Sequence, residues 1–362
     1  MKRIHNVFVN PVSPKWLPSP EYAKKFNVKW YKVFEQRPNR RPPVLFYGDL
    51  KVDVQRRLDA EFPEIGVLEI QKASIYGENG WIFSREGYLL PDHSWYGQHV
   101  EEMQRVPRFI PRARQLEGIC LSLASDFSVG GYGHFLTDCL PRLEIFRKAG
   151  FHLTDVDYII CPRPTKGNAQ RLFAMLDIPE SKCIWTDQIK ALRPNVLFAP
   201  TFPGLRRNYQ HWVPEFLQQE FLPSPPQPSR RLFVSRCGFN RNPINAESVR
   251  RILISHNFEI YDPMQHPDSH RDFSEAKIVV GASGSGLTGL AFCQPGTKVL
   301  ELVPTDHVYP YYYTLSDAAS LNYGCLVCRS VKERGLSARG PSPFDFYVDE
   351  EELENALVRL SE

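Results

Sequence analysis

Two stretches of the chain hold residues whose types and spacing suit chemistry. The first runs Gly130-Gly-Tyr-Gly-His-Phe-Leu-Thr-Asp-Cys-Leu-Pro-Arg and ends at Arg142. His134 and Asp138 are four apart, so a helix starting near Gly133 sets them on one face, with Arg142 one turn further along. A histidine and a carboxylate held this way can serve as a base and its orienter, and the spacing leaves open which is which. The plainer reading is an i, i+4 polar pair on a solvated face. Glycine before the pair, and Phe135, Leu136, Cys139 and Leu140 around it, turn this face into a cleft. Pro141 has no amide donor and should kink the helix.

The second stretch, Ala276 to Leu302, reads as strand, glycine loop, short helix, strand. Lys277 to Val280 is an apolar, β-branched run of the kind buried on both faces of a sheet. Gly281, Gly284 and Gly286 follow, interleaved with Ala282, Ser283 and Ser285, so no bulky side chain keeps a ligand from the backbone. Leu287 opens the helical part, and Gln294-Pro295-Gly296 ends it. A glycine loop that opens a helix offers free N–H groups and a positive dipole end to phosphate. Glu301, at the end of the next strand, suits ribose hydroxyls. The pattern is that of a nucleoside-diphosphate site; the competing reading is a tight turn between two core strands.

The elements that must position these residues are legible in part. Runs at Pro43 to Tyr47, Ile65 to Ile70, Ala73 to Tyr76, Trp81 to Ser84 and Tyr88 to Leu90 read as short strands, with helices begun near Val52 and spanning Ser94 to Arg105. After Arg142 the rhythm becomes strand–helix–strand: Tyr158 to Cys161, Asn168 to Leu176, Cys183 to Trp185, Val196 to Ala199. That is the pattern of a parallel sheet. Four prolines between Pro223 and Pro228 mark a linker, and Arg231 to Ser235 opens a second sheet. The expected layout is an acceptor-side domain over 1–222, a linker at 223–230, a Rossmann-like nucleotide domain over 231–340, and a closing strand and helix over 341–362.

Composition narrows the function classes. The 362 residues are 42% hydrophobic and 23% charged, as in an ordinary globular protein, and suffice for two domains. A net charge of +3 gives no case for nucleic acid. No run is long and apolar enough for a membrane helix, and the basic start MKRIHNVFVNP lacks the apolar core of a signal peptide. The expected location is therefore cytoplasmic. Eight scattered cysteines read as reduced, buried thiols. Cys325 and Cys328 form a C-x-x-C without a second pair, and Asp155-Val-Asp157 precedes a strand, so neither is read as a metal site. Residues Lys15 to Arg41 mix eight basic residues with Trp16, Tyr22, Phe26, Trp30, Tyr31 and Phe34. Either a helix packs its aromatics on the core and turns its lysines to water, or the segment rests on an anionic membrane surface.

Taken together, GHFLTDCLPRL at Gly133 to Leu143 and VGASGSGLTGLAFCQPGTKVLEL at Val280 to Leu302 resemble glycosyltransferase family 61, in particular its bacterial capsule-polysaccharide members. The segment SRCGFNRNPINAES at Ser235 to Ser248 resembles the family's Ser-Arg…Arg…Asn-x-Glu pattern and brings in Arg236, Arg241, Asn245 and Glu247. Three positions depart from it: Ser283 stands where the family usually has histidine, Gly289 replaces asparagine, and PDSHRDF near Ser269 replaces a glutamine-bearing segment.

The resemblance implies a GT-B-like α/β fold, two Rossmann-like domains facing across a cleft, here with a β-rich N-terminal portion. It implies an inverting transferase that needs no metal or cofactor and takes a nucleotide sugar, with UDP as the expected nucleotide. The acceptor would be a glycan or a lipid-linked hydroxyl, the latter met at the inner face of a membrane. His134 and Asp138 would be catalytic. Arg236, Arg241, Asn245, Gly281, Ser283, Gly284, Ser285, Gly286, Leu287 and Glu301 would hold the donor, with Gly133 and Arg142 elsewhere in the cleft. Gly284-x-Gly286-x-x-Gly289 also matches the dinucleotide fingerprint, so a Rossmann-type NAD(P) enzyme is the rival reading, though Glu301 follows too soon for that motif. A non-catalytic nucleotide-sugar binder is the third.

Overall fold

The computed structural model describes residues 9–11, 15–41, 58, 61–93, 109–125, 128–165, 167–204, 208–224, 226–332 and 342–361. The strand expected at Pro43 to Tyr47, most of the helix begun near Val52 and the helix at Ser94 to Arg105 fall outside them. The chain forms two units, Met1–Arg37 with Glu61–Arg206, and Pro38–Ala60 with Arg207–Glu362. The proline-rich stretch at 223–230 lies within the second.

Among the described residues the first unit has β1 (Val9–Pro11), β2 (Lys29–Phe34), β3 (Ile65–Gln71), β4 (Ser74–Tyr76), β5 (Trp81–Phe83), β6 (Phe109–Pro111), β7 (Arg114–Ser122), β8 (Tyr158–Cys161), β9 (Cys183–Trp185) and β10 (Ala191–Pro200). The main sheet runs β2-β3-β10-β7-β8-β9, and β10, β7, β8 and β9 are mutually parallel. β2 and β3 extend it antiparallel. Chain order reverses at β7: β8 and β9 go to one side, and β10 returns to the other. The crossover from β7 to β8 carries the glycine loop and His134.

The basic–aromatic segment is not one helix. Ser19–Phe26 is helical and stops at Asn27, whose φ of 52° is the left-handed C-cap conformation. Lys29–Phe34 then becomes edge strand β2. Tyr22 is buried, Trp30 donates to Glu64, and Lys29 pairs with Glu69. Tyr22 packs, Trp30 and Tyr31 hydrogen-bond, Trp16 stays 48% exposed, and part of the basic charge is balanced within the unit. Among the described residues no helix is long and apolar enough to cross a membrane.

The second unit adds β11 (Arg230–Val234), β12 (Glu259–Tyr261), β13 (Ala276–Ala282), β14 (Lys298–Pro304), β15 (Asn322–Ser330) and β16 (Phe346–Tyr347). Their order is β12-β11-β13-β14-β15-β16, all parallel except β16. Even-numbered residues of β13 and β14 (Val280, Ala282, Leu300, Leu302) share a core with Val249 and Leu253 of helix Ala246–Ser255 and Leu353 and Leu357 of helix Glu350–Ser361. Each buried valine or leucine of this set contributes about 1.5–3 kcal/mol. Asp349 caps the last helix by accepting from the Glu352 N–H at 3.0 Å. β12 lies on one side of β11 and β13 on the other, so the order reverses between β11 and β13. Open parallel sheets bind ligands beyond the strand ends at such a reversal.

Candidate functional site

The second unit places two of the expected donor residues at that reversal. Arg236 follows the end of β11 and Gly284 the end of β13, and Val234 is in register with Gly281. The Arg236 guanidinium lies on Gly284 so closely that a Cβ there would stand 1.4 Å from Nη1. Nε and Nη2 of Arg236 donate to the Asn240 carbonyl at 3.3 and 3.0 Å. Nη1, the atom next to the glycine loop, makes no hydrogen bond among the described residues. Arg236 also lines a cavity of about 170 Å³ with Val234, Ser235, Asn242, Arg250 and Ala282, and Gly284 to Gly286 are not among its walls.

The electrostatics of this corner favour an anion. Burial, and then the like charge of Arg241, lower the Arg236 pKa to about 10, which still leaves it cationic at neutral pH. Two neighbouring guanidiniums raise each other's cost unless a negative group sits with them. Arg241 holds a φ of 65°, unusual for a side chain other than glycine, and its Nη1 meets Nε2 of His307 at 2.5 Å. Asn242 fixes the loop: its Nδ2 donates to the Arg236 carbonyl at 2.7 Å and also to that of Phe239. Asn242, His307 and Arg250 were not singled out in the sequence. The Asn-Pro step at 242–243, a turn signal, was the available hint for the first.

Other expected donor residues stand elsewhere or do other work. Asn245 binds the backbone of Val348 through both side-chain atoms, at 2.8 and 3.2 Å, and so ties the loop to the end of the chain. Glu247 is exposed in the first turn of its helix. Gly281 gives room to Leu287, whose side chain is buried there. Gly289 is filled from outside by Phe273, whose ring atoms would stand 2.4 Å from a Cβ. Ser285 is exposed, Gly286 half-buried, and Ser283 buried with its N–H donated to Leu302. Residues Ser285–Phe292 form a 3₁₀ helix rather than an α-helix. Glu301, offered by the sequence to ribose, is fully buried and accepts from the Tyr323 hydroxyl at 2.5 Å. Burial pushes its pKa up to about 7 against the pull of Tyr323, Ser283 and Arg241.

In the first unit His134 and Asp138 meet. Nδ1 of His134 lies 2.7 Å from Oδ2 of Asp138, with the histidine side chain 21% exposed and the aspartate 0%. Thr137 also donates to Asp138, and to the Gly133 carbonyl. The backbone here is a π-helical turn, Phe135–Cys139, followed by a new helix, Pro141–Lys148. Pro141 explains the break. It has no N–H for the next i→i−4 bond, and the turn widens so that Leu140 N–H reaches the Phe135 carbonyl. Arg142, expected to line a cleft, is instead 1% exposed. Its guanidinium donates to the carbonyls of Ala124 and His93 and lies 5.3 Å from the Phe202 ring. It is a clamp that fixes the strand end before the glycine loop.

Three motif-like clusters have structural explanations. Ser19, His93 and Asp92 meet through the Ser19 hydroxyl, but His93 Nδ1 faces the Pro200 carbonyl rather than the acid, and burial keeps the ring neutral. Asp155 accepts from His152 N–H and Asp157 from Ile119 N–H. Cys325 and Cys328 are three apart on one strand, hence on opposite faces, and both are buried and outside any disulfide. Among the described residues no three His, Cys, Asp or Glu side chains are grouped to hold a metal ion.

Residues 132–300 match the family model of glycosyltransferase 61. The match begins in the glycine loop before His134 and ends in β14, so the matched stretch includes His134, Asp138, Arg236 and Gly284. A 64-residue stretch is 36% identical to a beta-1,2-xylosyltransferase of Oryza sativa subsp. japonica, covering 18% of this chain and 12% of the plant protein. That relative is a plant protein, not one of the bacterial capsule type expected above.

Proposed function

We propose that the protein is a GT-B glycosyltransferase that moves a sugar from a nucleotide-sugar donor, expected to be a UDP-sugar, to a hydroxyl of a glycan or lipid-linked acceptor. The observation that carries this reading is the Arg236 guanidinium lying on Gly284 at the reversal of the second sheet, with Nη1 next to the loop. A diphosphate there would meet fixed donors and a cation where negative charge grows as the leaving group departs.

The acceptor hydroxyl would be deprotonated by His134. Asp138 has no exposure, whereas His134 is partly open. With Nδ1–H directed to the carboxylate, Nε2 carries the lone pair and takes the proton. The acceptor oxygen then bonds to the anomeric carbon from the face opposite the diphosphate, and the bond to the phosphate oxygen breaks with its electron pair. The configuration inverts, and no step calls on a metal. The rival dinucleotide reading loses its footing at two residues. Gly289 of the fingerprint is occupied by packing on Phe273, and Glu301 is buried against Tyr323.

The test is turnover of a panel of nucleotide sugars, a xylosyl donor among them, with EDTA present and product configuration read by proton NMR. Release of nucleoside diphosphate with inversion supports the reading. Retention of configuration, or loss on chelation with recovery on adding manganese, contradicts it. Binding of donor without any transfer would leave a nucleotide-sugar binder.

A further inference from the structure

Arg236 stands in two places at once. Its Nη1 lies on Gly284, and the same side chain walls the cavity of about 170 Å³ at the end of β11. The rest of that wall comes from the end of β11, the loop after it, Ala282 of β13 and the helix Ala246–Ser255. Phe233 and Ala282 share a core with that helix, so the cavity opens on its face of the sheet. Leu287 of the glycine-loop helix packs over Gly281 on the other face. A ligand whose anionic end rests on the glycine loop therefore reaches the cavity by passing Arg236, across the carboxyl edge of β11 and β13. That edge is where sheets of this kind take nucleotides.

The cavity suits the uncharged end of a nucleotide better than a second anion. Phe233, Val234, Pro243, Ala246 and Ala282 give it apolar walls. Its volume is well under the roughly 300 Å³ at which pockets for whole ligands begin, so it takes a part of a ligand, of the size of a base. The loop that shapes it is held from within. Ser235 Oγ accepts from the Cys237 N–H at 3.2 Å, and Asn242 Nδ2 donates to the carbonyls of Arg236 and Phe239.

One cation is left to read the edge of the base. Arg250 lines the cavity four residues after Ala246, on the same helical face, and is exposed, so it stands at the mouth. It makes no hydrogen bond or ion pair among the described residues. A guanidinium has donors and no acceptor, so it pairs with a keto oxygen and not with an exocyclic amine. Uracil has a keto oxygen where cytosine carries an amine. We propose that the cavity between β11 and helix Ala246–Ser255 is the base subsite for the donor nucleotide, and that Arg250 selects uracil over cytosine there. This rests on the reading of Arg236 and Gly284 as the diphosphate site.

Cys237 makes the test direct. It is exposed and lines the cavity, while Cys183 of β9 is half-buried in the first unit and serves as an internal reference. Alkylation of the full chain by iodoacetamide is followed at each cysteine by mass spectrometry. Saturating UDP should slow Cys237 at least about fivefold, because the bound state excludes the reagent. Saturating pyrophosphate should leave Cys237 at its unliganded rate, and Cys183 should change with neither. By calorimetry UDP should bind at least about tenfold tighter than CDP, and Arg250→Ala should erase most of that ratio by weakening UDP and not CDP. Ala246 is exposed in the first turn of its helix, so the fold should tolerate Ala246→Phe, which fills the cavity. That variant should lose UDP affinity at least about tenfold and keep wild-type affinity for pyrophosphate. Equal protection of Cys237 by pyrophosphate and UDP, unchanged UDP affinity in Ala246→Phe, or an unchanged ratio of UDP to CDP affinity in Arg250→Ala overturns the proposal and leaves the anion reading intact. Pyrophosphate that neither binds nor competes with UDP overturns the anion reading, and this proposal with it.

Discussion

Arg236 lies against Gly284 where a side chain would stand: a methyl group at 284 would be 1.4 Å from Nη1 of Arg236, so the guanidinium must move to admit one. The two come from loops after different strands, and each has meaning through the other. Gly284→Ala must push the guanidinium off the loop. We expect nucleoside-diphosphate affinity to fall at least about tenfold, roughly 1.4 kcal/mol. Arg236→Ala should do the same, and the double variant should lose little more than either single one. Calorimetry with UDP reads all three; additive losses would mean that the residues act apart.

Gly289, five residues on, should behave differently. A methyl there meets the Phe273 ring at 2.4 Å, inside the core. Gly289→Ala is expected to destabilise the fold by about 1–3 kcal/mol through overpacking. Its donor affinity, measured well below the melting temperature, should stay near wild type. A large affinity loss with unchanged melting temperature would return Gly289 to the ligand site.

Stability should carry a pH signature from Glu301. Its folded pKa, about 7, lies above the ordinary value of 4.5. The folded state therefore holds this proton more tightly than the unfolded state. Stability that Glu301 does not oppose below about pH 4.5 is lost progressively as pH rises to about 7, and the loss is constant above that. Glu301→Gln should lack this decline. Melting temperatures of the two proteins followed from about pH 5 to about pH 8 should diverge in favour of the variant; parallel curves would show that the carboxyl does not titrate there.

Local patterns are more legible in the sequence than tertiary partners. Glycine spacing and the four-residue step from His134 to Asp138 are legible in the sequence because both are local, and the structure has the loop after β13 and the histidine against the aspartate. The strands from β8 onward were readable from apolar runs. β7 was overlooked, since Arg114, Gln115, Glu117 and Gly118 mask its first half and only Ile119 to Leu121 look like a buried strand. β2 resembles a helix as readily as a strand, because its aromatics and lysines fit either period. Arg142 and Asn245 have the polarity of ligand residues, but they bind backbone carbonyls and amides brought near by tertiary folding, and no spacing rule encodes that. Glu301 was assigned outward by motif analogy, while strand alternation, with Leu300 and Leu302 in the core, puts it on the other buried face.

The account turns on His134 as the base, with Asp138 as the group that orients it. The direct measurement is single-turnover transfer, with donor and acceptor saturating, by wild type, His134→Ala and Asp138→Asn, alongside donor affinity for each folded variant. The expected result is a fall of about a hundredfold or more in rate for both variants, the usual size of general-base catalysis, with donor affinity unchanged. Wild-type rates in both would contradict the account, and would leave His134 and Asp138 as a structural pair at the head of a broken helix.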